Sequence, residues 1–203
     1  KKGKNIKHKW MKSYFDSNNL TEMEKDNTYL IFIDGHDTKV INYMNEDDLI
    51  KKFKSYNCDI LFSSEYKPQD AVDPTARAIK KLLSKFKLKN IDLFNKKINN
   101  NNTSLWPNNG CMMGYYKSIE KFIMICNNYY NNDFSEKKTK GPTGDSQIFQ
   151  HCLLYDKFNG IDIKIESENA IFFTFNNYTF KQSLKDSSIV PHCPIVHYTL
   201  CEG

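Results

Sequence analysis

The chain has 203 residues, with 29 Lys and Arg, 24 Asp and Glu, and a formal net charge of +5. This length is enough for one domain to bury a core without disulfide bonds, and apolar residues grouped in short blocks exclude a disordered chain. No apolar run is long enough to cross a bilayer, which predicts no membrane span, and lysines interspersed with acids argue against a nucleic-acid-binding surface.

The first part of the chain alternates helix-like and strand-like patterns. In chain order these are an amphipathic helix from about Lys7 to Phe15, a polar link, a buried strand over Tyr29–Ile33, an extended stretch after Asp37, a helix over 46–56 and a second buried strand over Asp59–Ser63. This order is typical of a mostly parallel α/β sheet, in which polar residues that follow strands meet at one edge. We therefore expect Asp34, Asp37 and Glu65 to lie close together.

Further elements follow in the second part of the chain. They are a helix from about Thr75 to Phe86, a glycine-bounded segment WPNNGCMMGYY, a helix from Lys117 to Asn127, a polar loop from Asn131 to Gly144, a helix with Asp145 at its N-terminus, strands within 161–166 and 170–175, and a short final strand that carries His197. No internal repeat divides them, so residues 1–203 are predicted to form one domain.

The six cysteines include no Cys-x-x-Cys pair, which argues against a closed zinc site. Cys58 and Cys111 lie in or beside apolar segments, and we expect both to be buried thiols. Cys193 and Cys201 would form a disulfide in an oxidising compartment and stay reduced elsewhere, so the sequence leaves their state open.

The clearest chemical motif is the pair Asp34 and Asp37, which directly follows the buried strand Tyr29–Ile33. Two carboxylates at this spacing bring oxygen ligands together, and a hard divalent cation held there keeps positions open for phosphate oxygens and water. The alternative is structural, with Asp34 capping the strand and Asp37 in a turn, since Asp-Gly is common turn chemistry. The spacing alone does not choose between the two.

Six blocks, in order along nearly the whole chain, resemble the glycosyltransferase domain of procollagen lysyl hydroxylases and related collagen glycosyltransferases. The blocks are KHKWMKSYF, YLIFIDGHDTKVI, DILFSSE, WPNNGCMMGY, GDSQIFQ and PIVHYT. They are similar to the family's Lys-rich segment, its strand before Asp-x-x-Asp, its Ser-Ala-Glu strand, its Asn-Ser-Gly segment, its acidic box and its closing Pro-x-x-x-His. An ordered set of blocks is more specific than any one of them.

The resemblance implies a Rossmann-like nucleotide-sugar glycosyltransferase fold of the GT-A type with a mostly parallel central sheet. The family's first nucleotide-binding strand would lie upstream of Lys1. The implied cofactor is Mn²⁺ and the implied donor is UDP-glucose or UDP-galactose. The implied acceptor is hydroxylysine or galactosylhydroxylysine in a collagen-like Gly-X-Y protein. A homo-oligomer is compatible with the sequence, which does not fix the number of subunits.

The family's metal and nucleotide residues match five positions of this chain. Two aspartates and the late histidine of the family hold Mn²⁺ with the diphosphate, and they match Asp34, Asp37 and His197. An imidazole beside carboxylates is an acceptable ligand for Mn²⁺. Lys7 matches a lysine near the phosphates, where an ammonium acts as a point charge. His36 stands where the family has a tyrosine beside the nucleotide.

The resemblance also implies roles for three residues near the sugar. Asp145 falls in the acidic box, where it would orient sugar hydroxyls or act as a base toward the acceptor, although it would equally serve as a helix cap. Asn108 would bond the sugar through its amide, and Gly110 would allow the backbone to approach it closely. Asn-Asn-Gly is also an ordinary turn sequence.

Two other functions are compatible with the same motifs. A metal-dependent phosphohydrolase is one, because an apolar strand ending in Asp is typical of the nucleophile strand of haloacid-dehalogenase phosphatases. Their second aspartate comes two residues later, whereas Asp37 comes three residues after Asp34. A non-catalytic binding module on a transferase fold is the other, since residues 197–200 read His-Tyr-Thr-Leu where the family has His-Gly-Asn-Gly.

Overall fold

The computed structural model describes residues 6–68, 97–98, 103–129, 157–166, 168–176 and 193–198. Within them the chain forms four helices and eight strands, which give a mixed α/β fold with two small sheets. No helix in this part of the chain is long and apolar enough to cross a membrane.

The helices are α1 (Ile6–Ser17), α2 (Glu22–Asn27), α3 (Glu46–Ser55) and α4 (Tyr116–Tyr129). Predicted helices at three of these places are confirmed, and α2 was expected to be a polar link. Thr21 begins α2 with a capping box, since its hydroxyl accepts from the N–H of Glu24 while the Glu24 carboxylate accepts from the N–H of Thr21. Asn45 begins α3 in a similar way by accepting from the N–H of Asp48 at 2.8 Å.

The strands are β1 (Tyr29–Ile33), β2 (Thr38–Val40), β3 (Ile60–Pro68), β4 (Lys97–Ile98), β5 (Thr103–Tyr115), β6 (Ile163–Ile165), β7 (Phe172–Phe175) and β8 (Ile195–Tyr198). The first sheet has the order β1-β5-β3-β6, with β4 also paired to β5. The second sheet has the order β2-β8-β7.

The predicted mostly parallel sheet is wrong for the described strands. β5 runs antiparallel to both β1 and β3 and lies between them, and only the β3–β6 and β7–β8 pairs are parallel. A continuous apolar run indicates a strand, but it carries no information on the direction of the neighbouring strands. β1 and β3 still point the same way, so the ends of both lie toward one edge of the sheet.

Apolar side chains cover both faces of the first sheet at β3, whereas Ile31 and Ile33 of β1 are 37% and 43% exposed, so the prediction that β1 is a buried strand is wrong. Ile60 and Phe62 point to one face and pack with helices α1 and α4, whereas Leu61 points to the other face and packs with α3 and the second sheet. Successive side chains of a strand point to opposite faces, so one short apolar block contributes to two cores. Cys58 and Cys111 are buried in the second of these cores, as predicted.

Glu166 connects the two sheets. It follows β6 of the first sheet, and its fully buried carboxylate accepts hydrogen bonds from the N–H groups of Ala170, Ile171 and Phe172, at the start of β7 in the second sheet. The Tyr56 hydroxyl donates a further bond at 3.1 Å. Burial raises the pKa of Glu166, and the backbone donors oppose that shift. No sequence pattern marks this residue beyond its place after a strand.

Candidate metal centre

Asp34 lies where β1 ends beside the central strand β5. Its backbone N–H donates to the carbonyl of Gly110 at 2.8 Å, which extends the β1–β5 ladder by one bond. At the same level the register of β3 on β5 shifts between Phe62 and Ser63, so residues 109–111 of β5 have no register partner in β3. Irregular pairing of this kind commonly lies beside functional sites, because it changes the direction of backbone and side chains.

Asp37 connects the first sheet to the second. The turn over residues 35–37 leads into β2, whose Thr38 is the register partner of His197 in β8. The carbonyl of Asp37 accepts from the N–H of Tyr198 at 2.7 Å. The β2–β8 pairing therefore carries His197 from the end of the described chain to the pair of aspartates.

The three predicted metal ligands come together. One ligand atom of each residue lies within 4.8 Å of the others. The His197 Nε2 atom is 3.4 Å from Asp37 Oδ2 and 3.7 Å from Asp34 Oδ2. The His197 side chain is 4% exposed, whereas the Asp34 and Asp37 side chains are 35% and 44% exposed. The centre therefore has a buried imidazole at its base and two carboxylates open toward solvent.

The polar atoms of this centre fit a bound cation. Both ring nitrogens of His197 and the Oδ1 atom of Asp37 are buried and have no hydrogen-bond partner among the described residues. Buried polar atoms are normally paired, because leaving one without a partner costs free energy. A divalent cation between the carboxylates and Nε2 would supply the partner that Nε2 lacks. Two carboxylates and an imidazole suit Mn²⁺, and three protein ligands leave further positions open.

Gly110 provides the space that His197 occupies. A Cβ atom at position 110 would lie 2.1 Å from Cε1 and 2.6 Å from both ring nitrogens of His197. No side chain can share that space with the imidazole. The close approach expected at this glycine is thus made by the candidate ligand His197, and the predicted contact of Gly110 with the sugar stays a prediction.

Lys7 contacts the same centre from α1. Its Nζ atom donates to Asp34 Oδ1 and to the carbonyl of Asn109, the latter at 2.6 Å. The structure thus places Lys7 beside the predicted metal ligands. Its proposed contact with phosphates stays a prediction. Sequence reasoning missed Asn109, since its contribution is a backbone carbonyl and no side-chain pattern marks it.

Asn108 lies two residues before Gly110, and His36 lies between the candidate ligands Asp34 and Asp37. The Oδ1 atom of Asn108 accepts from the N–H of Gly110 at 2.7 Å, and its carbonyl accepts from the Ser63 hydroxyl at 3.0 Å. Asn108 therefore shapes the irregular part of β5. His36 is exposed on the turn between the aspartates. The predicted roles of both residues toward sugar and nucleotide are not tested by these contacts.

Several predictions fall elsewhere in the chain. Asp145 and the predicted helix from Thr75 to Phe86 lie outside the described residues. Glu65 lies within β3, paired in register with Trp106, and not after a strand end as expected. Cys193 is a buried free thiol that donates to the carbonyl of Ile195, while Cys201 is not among the described residues.

Cys111 is adjacent to the centre, but its thiol is not among the ligand atoms that converge there. It is the register partner of Ile33, the residue before Asp34, and its Sγ atom is 3.8 Å from the Thr38 hydroxyl. Burial raises the pKa of this thiol to about 12, so it stays protonated at neutral pH. Metals bind the thiolate form. The candidate ligand set among the described residues is Asp34, Asp37 and His197.

Comparison with known proteins adds no family assignment. No protein-family model matches this chain, and no curated protein matches it.

Proposed function

We propose that this chain is a metal-dependent glycosyltransferase domain of the Rossmann-like GT-A type. It transfers glucose or galactose from a UDP-sugar to hydroxylysine, or to galactosylhydroxylysine, in collagen-like protein. The observation that carries the proposal is the convergence of Asp34, Asp37 and His197. These residues come from two separate blocks of the resemblance, and nothing in their local sequence requires them to meet.

The arrangement of the ligands suits a diphosphate. His197 closes the buried side of the centre, and the more exposed carboxylates leave the solvent side open to an incoming ligand. When Mn²⁺ is bound, it supplies positive charge that stabilises the negative charge developing on a departing nucleoside diphosphate. Lys7 adds a second positive charge beside Asp34.

The remaining roles follow from the resemblance. Asp145 orients the sugar or accepts the proton of the acceptor hydroxyl, which makes that oxygen a better nucleophile. Asn108 is fixed through its Oδ1 atom by Gly110, and its amide nitrogen is the group that would donate to the sugar. His36, exposed between the aspartates, lies beside the nucleotide.

The test is release of UDP from UDP-glucose and UDP-galactose, with and without Mn²⁺, in the presence of a hydroxylysine or galactosylhydroxylysine peptide. We expect Mn²⁺-dependent release that falls by about 100-fold in Asp37→Asn, since that change removes a ligand charge while keeping the side-chain shape. The matched control is Asp16→Asn, which changes an exposed aspartate that pairs with Lys12 on α1.

Two results would contradict the proposal. Hydrolysis of p-nitrophenyl phosphate without UDP release would support the phosphohydrolase. Absence of any thermal shift with UDP, UDP-glucose, UDP-galactose or GDP-mannose in Mn²⁺ would support a non-catalytic module, because a ligand that binds only the native state raises its stability.

A further inference from the structure

Lys7 and the predicted cation share one carboxylate through different oxygens. The ammonium contacts Asp34 Oδ1, while Asp34 Oδ2 is the oxygen that faces His197, at 3.7 Å from Nε2. A cation between the three ligands would therefore take Oδ2 alone. Asp34 would bind it through one oxygen, which leaves more of the coordination sphere to ligands from outside the protein.

The position of Lys7 is fixed by the packing of α1. The next residue, His8, is 1% exposed, and its carbonyl accepts from the side-chain amide of Asn127 on α4 at 2.9 Å. The His8 ring also packs edge-on against Phe122 of α4. These contacts hold the first turn of α1 on α4. The Lys7 ammonium also contacts β5, because it donates to the Asn109 carbonyl.

This contact changes the charge of the centre. Asp34 and Asp37 carry two negative charges, and Lys7 cancels one of them. A divalent cation added to this set, with His197 neutral as metal binding requires, leaves an excess positive charge. The cation would also lie near an ammonium that repels it. An anion bound at the open coordination positions of the cation neutralises the excess positive charge and offsets the repulsion between the cation and the Lys7 ammonium.

We propose that Lys7 makes retention of the cation depend on an anionic second ligand. The three protein ligands with Lys7 in place hold a divalent cation weakly, and the cation and the anion each strengthen the binding of the other. This inference rests on the proposed metal centre and adds that the centre binds its cation and an anion cooperatively. The chemical class of the anion is a phosphate or diphosphate group, whose paired oxygens can fill the positions that Asp34 leaves.

Equilibrium dialysis of Mn²⁺ against the whole chain tests this, with pyrophosphate present or absent on both sides of the membrane. Solution chelation by pyrophosphate is the same for every variant, so it cancels in the comparison. The variants are Lys7→Met, Lys7→Arg, His197→Ala and the matched control Lys9→Met. Lys9 is an exposed lysine of the same helix, so its removal changes the net charge equally. Circular dichroism verifies that each variant is folded.

We expect Lys7→Met to bind Mn²⁺ alone about tenfold more tightly than the wild type, because a nearby like charge is removed. The change in apparent Mn²⁺ affinity that pyrophosphate causes should favour the wild type over Lys7→Met by at least about threefold. Lys7→Arg and Lys9→Met should behave as the wild type does. Should Lys7→Met not fold, Lys7→Gln, which also removes the charge, replaces it in the test.

Mn²⁺ binding by Lys7→Met that is equal to or weaker than that of the wild type would overturn the inference while leaving the metal centre in place. The same follows if Lys9→Met tightens binding as much as Lys7→Met does. If the wild type and His197→Ala both bind no Mn²⁺, with or without pyrophosphate, the metal centre fails and the inference and the proposed function fail together.

Discussion

The imidazole of His197 occupies the space in which any side chain at position 110 would begin. Gly110 also accepts a hydrogen bond from the N–H of Asp34 through its carbonyl, and its own N–H donates to Asn108. One residue without a side chain therefore sets the relative positions of two predicted ligands. At the residue scale the candidate centre depends on this glycine as much as on its carboxylates.

Gly110→Ala should lower Mn²⁺ affinity by roughly 10- to 100-fold, the range seen when the groups that orient metal ligands are changed. The new Cβ, 2.1 Å from Cε1, must displace the imidazole from the carboxylates. Gly35→Ala is a matched control, since Gly35 lies between the aspartates and its added Cβ would meet nothing within 4 Å. Titration calorimetry gives both affinities, and equal affinities for the two variants would contradict the prediction.

At the scale of elements, α1 is held by α4 and carries two residues with different functions. Lys7 points to the metal centre, and His8 is buried against α4. Burial, with a smaller contribution from the Lys7 charge, lowers the pKa of His8 from 6.5 to about 4. The neutral imidazole is therefore the form compatible with the folded position of α1.

Acid should weaken the docking of α1. The pKa of His8 is lower in the folded state than in the unfolded state, so neutral His8 contributes fully to the free energy of unfolding above about pH 6.5. This contribution is lost as the pH falls toward 4, and the loss is up to about 3 kcal/mol. Urea unfolding at several pH values should show that the free energy of unfolding falls less over this range in His8→Gln than in the wild type, because glutamine does not ionise. An NMR titration of His8 with a midpoint near 6.5 in the folded protein would contradict this.

Element positions were largely predictable, because they depend on local patterns. The apolar run of β1, the periodicity of α4 and the acidic start of α3 each fix an element from a few neighbouring residues. The capping box at Thr21 was a readable signal for α2 that the prediction did not use. The long strand β5 was missed as a central strand because its one proline, two asparagines and two glycines indicate turns.

At the scale of the described fold, polar groups join the two sheets at two places, one at the start of β7 and one near the end of β8. Glu166 holds the start of β7 to the end of β6, and the candidate metal centre brings β8 to the end of β1. Asp34 belongs to the first sheet and His197 to the second. A cation bound by both would cross-link the sheets, so metal binding is expected to stabilise the fold as a whole.

Saturating Mn²⁺ should therefore raise the free energy of unfolding, by about 2.7 kcal/mol at a free concentration 100 times the dissociation constant. For a chain of this size that is a rise of roughly 5–10 °C in Tm. Differential scanning fluorimetry measures it, and EDTA should reverse it. His197→Ala supplies the control, since an equal rise in that variant would place the bound metal elsewhere.

The sequence by itself determined the local features of this protein. Those are the positions of the apolar strands β1 and β3, three of the helices, the acid pair after β1 and the choice of His197 as a third candidate ligand through the resemblance. Only the tertiary structure decided that β5 runs back between β1 and β3, that Glu166 joins the sheets, and that Lys7 and Gly110 shape the metal centre. The physical reason is that strand direction and side-chain convergence depend on contacts between residues far apart in the chain, which local hydrophobic patterns do not encode.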